Sequence, residues 1–151
     1  MKKSVLLLSA ILFTFSMQGQ IQTPASSPSA HMEQMVGLTD VTIEYSRPSM
    51  KGRTVFGNLV PFGKIWRTGA NANTTISFST DVTVDGQKLN KGTYAIYTKP
   101  EKDSWEVYFY SETDNGGLPQ KWDDSKVVAK VSAKVYPMSM SVESFTISLD
   151  D

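Results

Sequence analysis

Apolar and polar residues alternate with a period of two along most of this chain, the repeat of half-buried β-strands. Val41, Ile43 and Tyr45 share one face of a segment whose other face carries Thr42 and Glu44. The same alternation places Ile76 and Phe78 together, Tyr94, Ile96 and Thr98 opposite Ala95 and Tyr97, and Trp105, Val107 and Phe109 on one side. Val127 to Val135 alternates cleanly, with Val127, Ala129, Val131, Ala133 and Val135 expected inward and Lys130 and Lys134 outward. A weaker alternation covers His31 to Val36, and a last one, with Phe145, Ile147 and Leu149 on one face, covers Ser141 to Leu149. Asp85-Gly86 after Val82-Thr83-Val84 is a tight-turn pair, and Asn90-Lys91-Gly92 is a second turn. No stretch has the 3.6-residue period of an amphipathic helix. Seven to nine short strands predict an all-β fold: an antiparallel β-sandwich, jelly-roll-like, or a flattened barrel.

The first nineteen residues break this pattern. Met1-Lys2-Lys3 is a short positive segment, Val5 to Phe15 is apolar and uncharged, and Ser16 to Gly19 is small and polar. That order is the layout of a secretory signal peptide, too short to span a membrane, with cleavage expected near Gly19. Gln20 to Ser29 is polar, carries two prolines and reads as a flexible leader, which leaves 30–151 as a single domain that could lack a final C-terminal strand. The protein is therefore expected to be exported, periplasmic or secreted. The chain has no cysteine, so it has neither a disulfide nor a lipidation site of that kind, and no stable membrane anchor is expected.

Charge changes the picture locally. With Lys2 and Lys3 gone, thirteen basic side chains face fifteen acidic ones, and nothing global points to nucleic acid. Yet from Glu44 to Arg67 five cations accompany one anion. Tyr45 to Thr75 is a long, glycine-punctuated interruption of the strand pattern, the kind of loop in which a β-scaffold carries function. Pro48 stops the preceding strand, Gly52 can turn sharply, and Val55-Phe56 and Val60-Pro61-Phe62 are apolar anchors. An Arg fork suits carboxylate, phosphate or sulfate and stacks on aromatic rings. Arg47, Lys51, Arg53, Trp66, Arg67 and Asn71 are the candidate ligand-binding residues, for an anionic or glycan small molecule. The competing reading has the same arginines tying the loop down by bonding backbone carbonyls and Glu44.

Other chemistries find little in the residues. A lone His31 beside the leader and no cysteine give no nucleophile–base pair and no zinc or copper set, so no catalytic residue, metal or cofactor is expected. Gly57 to Ile65 imitates a phosphate-binding loop, but five residues separate the glycines and Ile65 stands where a hydroxyl is required. Glu44, Asp81, Glu106 and Glu143 are carboxylates that could serve a hydrolase with arginine anchors, yet they are scattered on outward positions. An abrupt end after the last strand raises a third reading, an interaction module pairing its open edge with another chain.

Tyr45-Ser46-Arg47-Pro48-Ser49, Lys51-Gly52-Arg53, Phe56-Gly57, Val60 to Gly63 and Trp66-Arg67-Thr68-Gly69-Ala70-Asn71 together resemble the DUF2911 family, exported bacterial proteins found mostly in the Bacteroidetes. The later Lys91-Gly92-Thr93-Tyr94 and the stretch Glu143 to Ser148 also look like it. The resemblance covers Pro28 to the C-terminus and implies an exported β-domain with no assigned activity. Two features depart from it. Ala72 stands where relatives often have Glu, and relatives tend to continue into another strand containing Trp.

Overall fold

A computed structural model describes residues 23–149; the expected signal peptide lies outside the described residues. Eight strands form in the order β1 (Ser29–Val36), β2 (Thr39–Ser46), β3 (Thr75–Phe78), β4 (Val82–Val84), β5 (Gln87–Leu89), β6 (Gly92–Pro100), β7 (Ser104–Tyr110) and β8 (Val127–Lys134). Six of them build one antiparallel sheet, β1-β2-β3-β6-β7-β8, and β4 pairs with β5 as a separate hairpin. The fold is all-β and antiparallel, as the alternation predicts. Its two sheets stay open, so the flattened-barrel alternative does not hold.

One face of the large sheet makes the main core. Val41, Ile43 and Tyr45 of β2 meet Phe78, Tyr94, Ile96 and Phe109, which are the positions the period-two pattern puts on one side. Two things cover this face. The β4–β5 hairpin brings Val82, Val84 and the buried Leu89. The C-terminal segment brings Phe145, Ile147 and Leu149. The hairpin is held at β8 by one side chain: Gln87 Nε2 donates to the Lys130 carbonyl at 2.5 Å, and Lys130 N–H donates to Gln87 Oε1 at 3.2 Å. The primary amide thus imitates a strand peptide against the edge of β8.

The Ser141 to Leu149 alternation is real, but the segment is not a strand. It touches the long loop by a single bridge, Ser49 to Ser144, with Phe145 N–H donating to Pro48 O and Met50 N–H to Glu143 O. Side chains complete its attachment. Tyr45 hydroxyl accepts from Ile147 N–H at 3.2 Å, and Arg47 reaches the same stretch. The outermost strands of the sheet are β1 and β8, so this segment covers the core and forms no edge. In β8, Ala129 is buried as expected, whereas Ala133 is exposed because the strand outruns the hairpin that covers it.

The second face of the sheet is also buried at its centre. Ala95 and Tyr97 of β6 are 0% exposed, and with Tyr108 and Tyr110 they form a second apolar cluster, packed by Ile65, Trp122 and Val127. Trp122 comes from the polar stretch between β7 and β8. Its ring meets Tyr97 at 5.3 Å, Tyr108 at 5.4 Å and Tyr110 at 4.9 Å between centroids. Sequence reasoning missed this lid, because one Trp among Gly, Asp and Lys carries no periodicity.

The two central tyrosines differ in how their hydroxyls are satisfied. Tyr97 donates to Asn115 Oδ1 at 2.9 Å and accepts from Asn73 Nδ2 at 3.0 Å; burial pushes its pKa up, partly offset by those amides. Tyr110 hydroxyl is buried with no partner among the described residues. Tyr97→Phe is expected to cost about 1–3 kcal/mol by removing two hydrogen bonds from a buried network, leaving Asn73 Nδ2 its bond to Asn115 Oδ1 at 2.7 Å, while Tyr110→Phe stays within about 0.5 kcal/mol of the parent or is stabilising. Urea unfolding of the two variants measures both, and equal losses would contradict this contrast.

Candidate functional site

β6 runs for nine residues, but its neighbour β3 has only four. A strand buried on both faces cannot leave its backbone groups unpaired. The second half of the Tyr45–Thr75 loop fills the vacant lane. Gly63 N–H donates to Pro100 O at 2.9 Å, Trp66 N–H to Thr98 O at 2.7 Å, Thr98 N–H to Trp66 O at 3.0 Å, and Ile96 N–H to Thr74 O at 2.8 Å. Between Trp66 and Thr74 the chain makes a compact bulge. Thr68 and Asn71 both take positive φ, +56° and +58°, costly for a β-branched Thr. Thr68 is held there by Thr98 Oγ1 at 3.1 Å and by Thr74 hydroxyl donating to its carbonyl at 2.6 Å. Gly69 fits because a Cβ there would stand 3.1 Å from Ser46 O.

The six expected site residues separate. Arg47 is a staple: its Nε donates to Phe145 O at 3.0 Å and a terminal nitrogen to Thr146 Oγ1 at 2.9 Å, binding β2 to the C-terminal segment. Lys51 is exposed, takes positive φ beside Gly52, and its backbone N–H donates to Glu143 Oε1 at 2.8 Å. Asn71 spends its amide on Ser27 O and Ser46 Oγ. None of these three lines the groove beside the long loop. Arg53, Trp66 and Arg67 do line one, and Lys64 joins them.

That cavity is an open groove of about 1500 Å³ between the long loop and the chain from Met138 to Ser148. Its floor is aromatic. Trp66 meets Phe56 at 5.8 Å, Trp105 at 6.2 Å and Phe145 at 5.3 Å, each edge to face. Arg53 curls back on its own loop, donating to Met50 O and Ser49 O at 2.8 Å each. Arg67 donates to Asn71 O at 3.0 Å and lies against Gly117, where a Cβ would stand 2.8 Å from its guanidinium. Among the described residues no carboxylate comes within ion-pair distance of Arg47, Arg53 or Arg67, so the expected Arg pairing with Glu44 does not form. Among the described residues no Asp or Glu lines the groove. Each arginine spends part of its fork on backbone oxygens, yet among the described residues Arg53, Lys64 and Arg67 have no ion partner.

The family described as Protein of unknown function (DUF2911) matches residues 27–151. The chain belongs to the DUF2911 family. No curated protein and no solved structure matches the chain. In this DUF2911 domain the segment Trp66 to Asn71 that carries the resemblance is the bulge that completes the β6 lane and sets Trp66 and Arg67 into the groove.

The four candidate carboxylates all lie outside the groove. Glu44 is exposed beside His31 at 3.5 Å, and Asp81 accepts from Lys91 N–H. Glu106 is locked by Lys130 at 2.8 Å, by Lys99, and by Tyr108 hydroxyl at 2.7 Å. Those hydrogen bonds, Lys130 first, hold its carboxyl down to about 2, while burial and this carboxylate push Tyr108 up. A carboxylate so stabilised is a poor general base near neutral pH.

A depressed native pKa adds stability that is complete above the unfolded value near 4.5 and is lost as pH falls toward about 2. Thermal melts between pH 5 and 2 should therefore show a fall in Tm that Glu106→Gln makes shallower; identical slopes would contradict the clamp. Arg47→Ala is expected to cost about 1–3 kcal/mol by urea unfolding and to open the C-terminal segment to limited proteolysis. Unchanged cleavage would show that the apolar contacts of Phe145 and Ile147 hold it alone.

Proposed function

We propose that this DUF2911 domain is an exported binding module for an anionic small molecule, taken up in the groove beside the long loop. Export is the expectation from the N-terminal charge and hydropathy pattern. The observation that carries the binding reading is the lining of the groove: Arg53, Lys64 and Arg67 with no carboxylate among the described residues, beside an apolar floor. Cations that have no ion partner among the described residues are open to one from outside, and an apolar surround strengthens such a contact. Trp66 and its neighbours meet edge to face, which gives a hydrophobic floor rather than a flat platform for sugar rings. An anion with an apolar body therefore fits better than a neutral glycan.

The aromatic sulfonate 8-anilinonaphthalene-1-sulfonate combines the two features and reports its binding by fluorescence. The folded protein should bind it at neutral pH, more weakly at high salt. Arg53→Met and Lys64→Met each remove an exposed charge and keep most of the hydrocarbon stem. Each should lower affinity about fivefold, on the order of 1 kcal/mol, with Tm nearly unchanged. Binding that ignores salt and both substitutions would overturn the reading.

A further inference from the structure

The wall facing the cationic loop is lined by exposed apolar side chains. Beyond β8, every second residue is a large hydrophobic one: Tyr136, Met138, Met140 and Val142. Met138 and Met140 are 73% and 77% exposed, and with Val142 they line the groove. On the opposite side Leu59, 54% exposed, and Leu118 do the same. Scattered apolar residues on a surface need no explanation, but a contiguous set along one groove marks a binding surface. A small inorganic anion or a sulfated sugar would use the cations and leave this wall wet.

Met50 links Arg53 to the apolar wall. Met50 carbonyl accepts from Arg53 Nε, Met50 N–H donates to Glu143 O, and Ser141 hydroxyl lies 3.8 Å from Met50 Sδ. Arg53 is thus fixed to the strip that carries Met140 and Val142. At Arg67, Gly117 makes the close approach and Leu118 is its chain neighbour. Methionine thioethers are flexible and polarizable and conform to apolar chains of varied shape.

We infer that the ligand of this groove is a single-chain amphiphilic anion, its head held by Arg53, Lys64 and Arg67 and its hydrocarbon tail lying along Met138, Met140 and Val142. This rests on the proposed anion-binding groove and adds the chemical class. The probes are straight-chain carboxylates from hexanoate to laurate, kept below their micelle concentrations and titrated calorimetrically into the folded protein. Affinity should rise about two- to fourfold per methylene while the tail still finds wall to cover. The double variant Met138→Gln, Met140→Gln should flatten that rise, weakening laurate far more than hexanoate. Arg53→Met should weaken all chain lengths by a similar factor. Carboxylate binding with no chain-length dependence, or a dependence that survives the methionine substitutions, overturns the amphiphile inference. If the naphthalene sulfonate binds with the expected salt and Arg53 dependence but no carboxylate does, the amphiphile inference fails while the groove stands. Failure of every probe overturns both.

Discussion

The structure depends on keeping β6 fully paired. Both of its faces are buried, so each backbone N–H and C=O along it must find a protein partner. β3 is too short to supply them, and Gly63, Trp66 and Thr74 do so from the long loop. A segment that interrupts the strand pattern is therefore part of the sheet, which explains how a loop of this length is held in place. The bulge between Trp66 and Thr74 follows: the lane is filled on both sides of it, and the spare residues fold into left-handed turns at Thr68 and Asn71.

From that arrangement the groove follows. Pairing Trp66 with Thr98 sets its indole against Phe56, Trp105 and Phe145, and this aromatic set becomes the floor. The C-terminal segment lies across the same face, clipped by Arg47 and Tyr45, and its approach from β8 supplies the methionine wall. The arginines divide their work accordingly. Arg47 is consumed in holding two parts of the chain together. Arg53 and Arg67 satisfy nearby carbonyls with part of their forks and keep their charge for the groove. Holding a loop and meeting a ligand are compatible roles for one guanidinium, since hydrogen bonds to neutral carbonyls leave the net charge in place.

The polar clusters elsewhere serve the scaffold. Glu106 binds two lysines and a tyrosine across three neighbouring strands, and Asn73 and Asn115 satisfy Tyr97 beneath the Trp122 lid. Among the described residues the carboxylates all lie outside the groove lining.

The sequence by itself determined most of the strands and turns and which residues of β2, β3 and β6 share the main-core face, but not the register shift opposite Phe109 and Tyr110 that turns Val127 to the other side from Ala129. Period-two alternation is a local property, and a half-buried strand has one physical solution for which side turns inward. It also marked the long loop and its arginines, because a run of cations with glycine and proline stands out against a strand pattern. Alternation cannot say whether a strand has a neighbour, so Ser141 to Leu149 carries the apolar face of a strand while pairing almost nowhere. Nor can it show that Trp122 closes the second face, that Arg47 and Arg53 have different partners, or that Met138, Met140 and Arg53 line one groove. Most of those outcomes rest on contacts between residues far apart in the chain, such as Arg47 with Phe145 and Met50 with Ser141, and only the packing of the loop and C-terminal segment around β6 brings them together.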